Sequence, residues 1–164
     1  MPRIFIAIRF SDEFKDKLAD IQNSLKVKGV GGDYCSYNNL HLTLAFIGER
    51  FDLTAIRSAV SEVSFEPFDL SLGCLGSFPT KAGVIWCGVE EQTAVKNLAS
   101  QLRERLSAHG VSFNNQGFVP HISLVQHPSA IVTDIAVPKA TIRVERVFVM
   151  KSERIDGRLV YSEV

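Results

Sequence analysis

Apolar positions along the chain change period in a recurring order. Arg3 to Phe10 (RIFIAIRF) is a β-branched and aromatic run that reads as a strand. It ends at Ser11, a good helix N-cap followed by Asp12 and Glu13 in the favoured first turn. Phe14, Leu18, Ile21 and Leu25 then recur at helical spacing, and Gly29, Gly31 and Gly32 end the helix. Tyr34 to Tyr37 comes next, and Leu40 to Gly48 (LHLTLAFIG) is a second strand signal. The unit is strand, helix, glycine stop, strand.

The second half repeats that order. Gly83 to Val89 (GVIWCGV) reads as a strand, Thr93 as the N-cap, and Val95, Leu98, Leu102 and Leu106 as the apolar face of a helix that stops at Gly110. The closing strand contains Pro120 to Gln126 (PHISLVQ). The expected N-cap precedes the histidine of the closing strand by 30 residues in the first unit (Ser11 to His41) and by 28 in the second (Thr93 to His121). Near-equal spacing points to two related lobes. Leu53, Ile56, Val60 and Val63 mark a short helix, and Phe68 to Phe78, Thr141 to Lys151 and Arg158 to Ser162 read as further strands, with a hairpin turn at Asp156-Gly157. No linker or low-complexity segment divides the chain. The expected architecture is α+β, two-lobed within one domain over residues 1–164, with mostly antiparallel sheets.

Composition narrows the partners. Lys plus Arg and Asp plus Glu each total 18, so the formal net charge is zero with the four histidines neutral. That balance argues against holding long nucleic acid by charge, but leaves open a small phosphate ligand or the end of an RNA. With 46% hydrophobic and 22% charged residues, the chain should bury a core. No apolar run is long enough to span a bilayer and the start does not read as a signal peptide, which points to the cytoplasm with no membrane partner. Cys35, Cys74 and Cys87 lack CxxC spacing and are expected to be reduced and mostly buried.

The candidate chemistry lies in the two closing strands. His41-Leu42-Thr43-Leu44 and His121-Ile122-Ser123-Leu124 share the pattern histidine, apolar, hydroxyl, apolar. Side chains alternate faces in a strand, so each imidazole and its hydroxyl lie on one face, roughly 7 Å apart along the chain, opposite the apolar positions. If the two units pack about a pseudo-two-fold axis, both pairs converge across one cleft. One neutral imidazole could then deprotonate a water or hydroxyl while the other, protonated, serves the departing oxygen. Both hydroxyls could donate to the non-bridging phosphoryl oxygens of a phosphodiester. This logic requires no metal and no cofactor.

These paired motifs, with Phe46-Ile47-Gly48 after the first and Phe118-Val119-Pro120 before the second, resemble the 2H phosphoesterase superfamily. Within it the chain is most similar to the branch of 2′-5′ RNA ligases and RNA 2′,3′-cyclic phosphodiesterases. The resemblance runs through RIFIAI, NNLHLTLAFIG, LGSFP (Leu75 to Pro79), VIWCGV and FVPHISL. It implies a bilobal fold with a central cleft between the sheets and helices outside, and His41, Thr43, His121 and Ser123 as the catalytic quartet. It also implies hydrolysis of a 2′,3′-cyclic phosphate at an RNA end or on a small cyclic nucleotide to a 2′-phosphate, with 2′-5′ ligation as the reverse reaction, by a monomer. Three positions depart from the family's usual residues and bear on substrate. Gln126 stands in place of an arginine, Val119 in place of a basic residue, and Tyr34 in place of a tryptophan. Glutamine neither stacks as a guanidinium nor neutralises phosphate. The alternatives are therefore a nucleotide or RNA-end binding module without turnover, and an enzyme for a non-RNA cyclic phosphate.

Other residues carry weaker signals. His127 shares the strand parity of His121, yet Pro128 follows it and a surface strand-end role is expected; His109 is expected to cap a helix end. Neither makes a zinc-site spacing with the motif histidines. Trp86 and Phe5 sit in apolar strands, where a core role is the default. Arg3, Arg9, Lys81, Arg143, Lys151 and Arg154 are candidate phosphate contacts that sequence does not place in the cleft.

Overall fold

A computed structural model describes residues 2–50, 52–78 and 82–164. In chain order the elements are β1 (Arg3–Arg9), α1 (Asp12–Val27), β2 (Asp33–Tyr34), a 3₁₀ turn (Tyr37–Asn39), β3 (His41–Glu49), α2 (Thr54–Ser61), β4 (Phe68–Phe78), β5 (Val84–Val89), α3 (Thr93–Ala108), β6 (Ile122–Gln126), β7 (Thr141–Val144), β8 (Phe148–Ile155) and β9 (Arg158–Glu163). They form two open antiparallel sheets, one in the order β3-β1-β8-β9 and the other β2-β6-β5-β4-β7. The fold is α+β, as the sequence pattern predicts.

The two halves repeat one plan. In each, the strand before the helix pairs with the histidine-bearing strand on one side, β1 with β3 and β5 with β6, and with a third strand on the other. Both long helices end alike. Gly29 (φ 83°) and Gly110 (φ 72°) take the left-handed conformation, and the next residue donates back into the last turn, Val30 to Leu25 at 3.1 Å and Val111 to Leu106 at 2.9 Å. The helix starts differ. The Ser11 hydroxyl accepts the Phe14 N–H at 3.3 Å, as expected. Thr93 is instead the first helical residue, after a cap at Gln92, because the nearby Glu91 carboxylate takes its N–H at 2.8 Å.

The helices are exchanged between the halves. Helix α1 packs against β6 of the other sheet, and α3 packs against β3 and α2. One contiguous apolar cluster joins Ile4, Ile6 and Ile8 of β1 and Leu42 and Leu44 of β3 to Ile85, Ile122 and Leu124 of the second sheet, through Phe14, Leu18, Leu98 and Leu102 of the helices. Burying the alternate positions against the helices turns His41, Thr43, Phe5 and Ala7 to the opposite face.

Two expected strands need correction. Thr141 to Lys151 is not one strand: Thr141–Val144 pairs with β4 in the second sheet, whereas Phe148 onward pairs with β1 in the first. Its alternation is shared, but the partner changes at residues 145–147, and choice of partner is a tertiary matter. The strand expected from Pro120 starts at Ile122, because proline has no N–H to enter a ladder, so His121 immediately precedes the pairing. The hairpin at Asp156 (φ 51°) and Gly157 (φ 78°) has both central residues left-handed, as a two-residue turn requires.

Candidate active site

Strand β3 carries His41 and Thr43 on its cleft face, and the start of β6 carries His121 and Ser123. Each histidine donates from Nδ1 to the carbonyl two residues upstream, His41 to Asn39 at 2.6 Å and His121 to Val119 at 2.7 Å. A carbonyl only accepts, so these bonds place the proton of the neutral ring on Nδ1 and leave Nε2 as the atom that gains or gives a proton. For His41, Nε2 lies 2.7 Å from Thr43 Oγ1.

Two aromatic rings flank each imidazole. Phe5 (4.9 Å between centroids) and Tyr161 (5.2 Å) stand beside His41, and Phe78 (4.8 Å) and Trp86 (6.1 Å) beside His121. Phe5 and Trp86 occupy matching places, each six residues before its helix cap. Burial among these rings pushes the pKa of His41 below the ordinary histidine value of 6.5, against the opposing bond to Asn39, and the nearby His121 lowers it further. Burial likewise lowers His121, against its bond to Val119. Both shifts favour the neutral imidazole in the free protein.

Thr43 and His121 line a cavity of about 360 Å³ together with Phe46, Phe78, Arg103 and Phe118. Its wall is the loop before β6, fastened to the free edge of β3 by Asn114 N–H donating to Phe46 O at 2.9 Å. Arg103 escaped the sequence reading. From the observed caps Arg103 falls eleven residues after Gln92, as Gln22 falls eleven after Ser11, but from the expected cap at Thr93 the count is ten, so the pairing of these polar positions emerges only once the helix start is known.

The remaining candidates do not line this cavity. His127 is exposed, with Nδ1 2.8 Å from Asp33 Oδ2, and His109 caps α3 with Nε2 2.8 Å from the Glu62 carboxylate. Arg143 pairs with Asp69, Lys151 with Glu153 and Arg9 with Glu163, Arg154 donates to Gly157 O, and Arg3 is exposed at the start of β1. Lys81, like Pro79 of the LGSFP stretch, lies outside the described residues. Phe5 is buried as expected, although against His41 rather than in the main core. Trp86 is not a core residue: its ring lies across Gly76 and Gly88 beside His121. Of the cysteines, Cys87 is buried with its thiol pushed up to about 12, and Cys35 is half-buried with its thiol at about 11, both by desolvation; Cys74 is exposed, contrary to expectation. Among the described residues no helix is long and apolar enough to cross a membrane, and no three His, Cys, Asp or Glu side chains cluster as metal ligands.

Each exchanged half-unit carries a histidine and, two residues on, a hydroxyl at the strand that pairs with the one before its helix. Residues 12–156 match the 2′-5′ RNA ligase superfamily, and the chain belongs to it. An RNA 2′,3′-cyclic phosphodiesterase of Thermotoga maritima is 32% identical over 161 residues, covering 88% of this chain and 83% of the relative. A protein of the same name from Archaeoglobus fulgidus is 33% identical over 140 residues, covering 81% and 78%. The apo crystal structure of E. coli LigT superposes with a TM-score of 0.85 at 26% identity, covering 99% of this chain and 95% of that one. The protein is thus a cyclic phosphodiesterase of the 2H phosphoesterase class.

Proposed function

We propose that the protein hydrolyses 2′,3′-cyclic phosphates at RNA ends or on nucleotides by acid-base catalysis between His41 and His121, without a metal, as a cytoplasmic monomer. The observation that carries this reading is the mirrored Nδ1 bond of the two histidines, which leaves each Nε2 for proton transfer. One imidazole takes a proton from water as its oxygen bonds to phosphorus. The P–O3′ bond breaks, and the other imidazolium gives its proton to O3′. The products are a 2′-phosphate and a 3′-hydroxyl, and the same sequence with a 5′-hydroxyl attacking in place of water joins RNA ends through a 2′-5′ linkage. Thr43 and Ser123 donate to the non-bridging oxygens, where charge sits during displacement.

Burial favours the neutral form of both rings in the free protein, and an anionic substrate beside them favours the proton that the acid needs. Similarity to proteins named RNA 2′,3′-cyclic phosphodiesterase supports the substrate class. Val119, exposed at the cavity rim, and Gln126 at the end of β6 favour a second reading, in which a small cyclic phosphate replaces the RNA end. The deciding experiment compares, in EDTA, a nucleoside 2′,3′-cyclic phosphate, an oligonucleotide ending in one, and a non-nucleotide cyclic phosphate. Turnover of the first two with a 2′-phosphate product is expected. Loss of all turnover in EDTA, or binding without products, would overturn the proposal.

A further inference from the structure

The exchanged helices hold the two histidine strands by equivalent side chains. From α1, Gln22 Nε2 donates to Leu124 O and to Cys35 O, both at 2.9 Å. From α3, Arg103 Nε donates to Leu44 O and Nη1 to Gln116 O, both at 3.1 Å. Leu44 and Leu124 are each the third residue after a motif histidine, and each partner loop, containing Cys35 or Gln116, leads into the other histidine. The clamp is the same in both lobes, and in the first helix a neutral amide suffices for it.

Arginine at the second position therefore brings more than the clamp needs. Its guanidinium stands over the rings of Phe113 (5.5 Å) and Phe118 (5.2 Å), and its side chain lines the cavity shared by Thr43 and His121. No carboxylate pairs with it among the described residues; the exposed Arg154 and Arg158 also lack one, but neither lines the cavity. A partly desolvated cation without a counter-ion carries a cost that an anionic ligand removes. With two donors committed to carbonyls and the plane held by two rings, the remaining N–H groups are preorganised rather than free to rotate.

We infer that Arg103 forms an anion-binding subsite beside the quartet, where it takes the negatively charged oxygens of the substrate phosphate. It does so from α3, in a chain that has glutamine and valine at the positions where its family usually carries cations. The inference rests on the cyclic phosphodiester reading of the cavity, but its readout does not depend on turnover. Trp86 is the only tryptophan and its ring lies beside His121, so its fluorescence reports occupancy of the cleft by inorganic phosphate.

The test compares the full-length wild type with Arg103→Gln and Arg103→Lys. Arg103→Gln can keep the Leu44 contact as Gln22 does for Leu124, so its Tm should stay near the wild type. Its phosphate Kd and its KM for a nucleoside 2′,3′-cyclic phosphate should each rise about 10- to 100-fold, the usual worth of a charge-assisted hydrogen bond. Arg103→Lys, which loses the fork but keeps the charge, should lie between the two. Unchanged phosphate Kd in Arg103→Gln, or weaker binding by the lysine than by the glutamine variant, would overturn the inference. If neither variant folds, inorganic phosphate should protect wild-type Arg103 from phenylglyoxal, read by peptide mass, and an absence of protection would overturn it equally. A wild type that binds phosphate through Arg103 but turns over no cyclic phosphate would sink the catalytic reading alone.

Discussion

The two lobes present the same frame and fill it differently. On the cleft face of the first sheet, Phe5, Ala7 and Met150 form a small buried cluster closed by Phe148 and Tyr161, and Arg9 and Arg146 lie over the Phe148 ring. The second sheet is hollow where the first is packed. Glycines at 76 and 88 clear the face around Trp86, and beyond that ring a cavity of about 800 Å³ opens against residues 133–137. A Cβ at Gly88 would sit 3.1 Å from Cys74 O, so the hollow is built into the backbone approach. His41 is consequently wedged between rings and bonded to Thr43, while His121 borders the 360 Å³ cavity. The repeated unit carries its histidine and hydroxyl in both lobes, while the packing around them differs.

The sharpest challenge to that equivalence is removal of each imidazole. His41→Ala and His121→Ala should each lower kcat by about 10² to 10⁴, the usual contribution of a positioned acid or base, with the double variant little worse than either. Thr43→Val and Ser123→Ala should each cost about 10²-fold in kcat, as for loss of one donor to a developing negative charge. Thr43 should cost the more, since it also bonds His41. Steady-state rates decide this, and a lobe whose histidine can be deleted without loss would show that only one of the pair reacts.

The pH profile tests what the lobes share. Both histidines are shifted below 6.5, so the imidazolium needed as acid is lost from the free enzyme at lower pH than an ordinary histidine would allow. The kcat/KM optimum should therefore lie on the acid side of 6.5 and fall by about tenfold per pH unit on the alkaline limb. An alkaline limb starting above 7 would contradict burial as the dominant influence. The same shifts mean that the unfolded chain binds these protons more readily. Their contribution to stability is then present above 6.5 and declines as the pH falls through the lower folded values.

The smallest effect separates the two clamps. Gln22 is buried, and Gln22→Ala removes two hydrogen bonds, at a cost of about 1–3 kcal/mol. In a chain of this size each kcal/mol lowers Tm by about 2–4 °C. Phosphate affinity should hardly move, the opposite of the pattern expected at Arg103. A Gln22 variant that lost phosphate binding at unchanged Tm would break the distinction between a neutral clamp and a charged one.

Much of the molecule is legible in its local periods. The 3.6-residue recurrence of Phe14, Leu18, Ile21 and Leu25 gives α1, and the alternation in HLTL and HISL assigns the imidazoles and hydroxyls to one face, since neighbouring strand residues must point oppositely. The near-equal spacing of the two units was likewise readable and signalled the duplication. The split of Thr141 to Lys151 was not, because either sheet satisfies the same alternation. Arg103 was missed for a related reason: it lies 59 residues from the Leu44 carbonyl it holds, and no short-range pattern encodes that approach.

By itself, then, the sequence determined which residues share a face, where the long helices stop, and that the histidine-hydroxyl pair occurs twice. Only the tertiary structure decided that each helix crosses to the other lobe's histidine strand, that one lobe is packed and the other hollow, and that a cation from α3 enters the cleft. Those outcomes depend on which distant surfaces bury each other and on the backbone groups left unpaired at strand edges, quantities that exist only once the two halves have met.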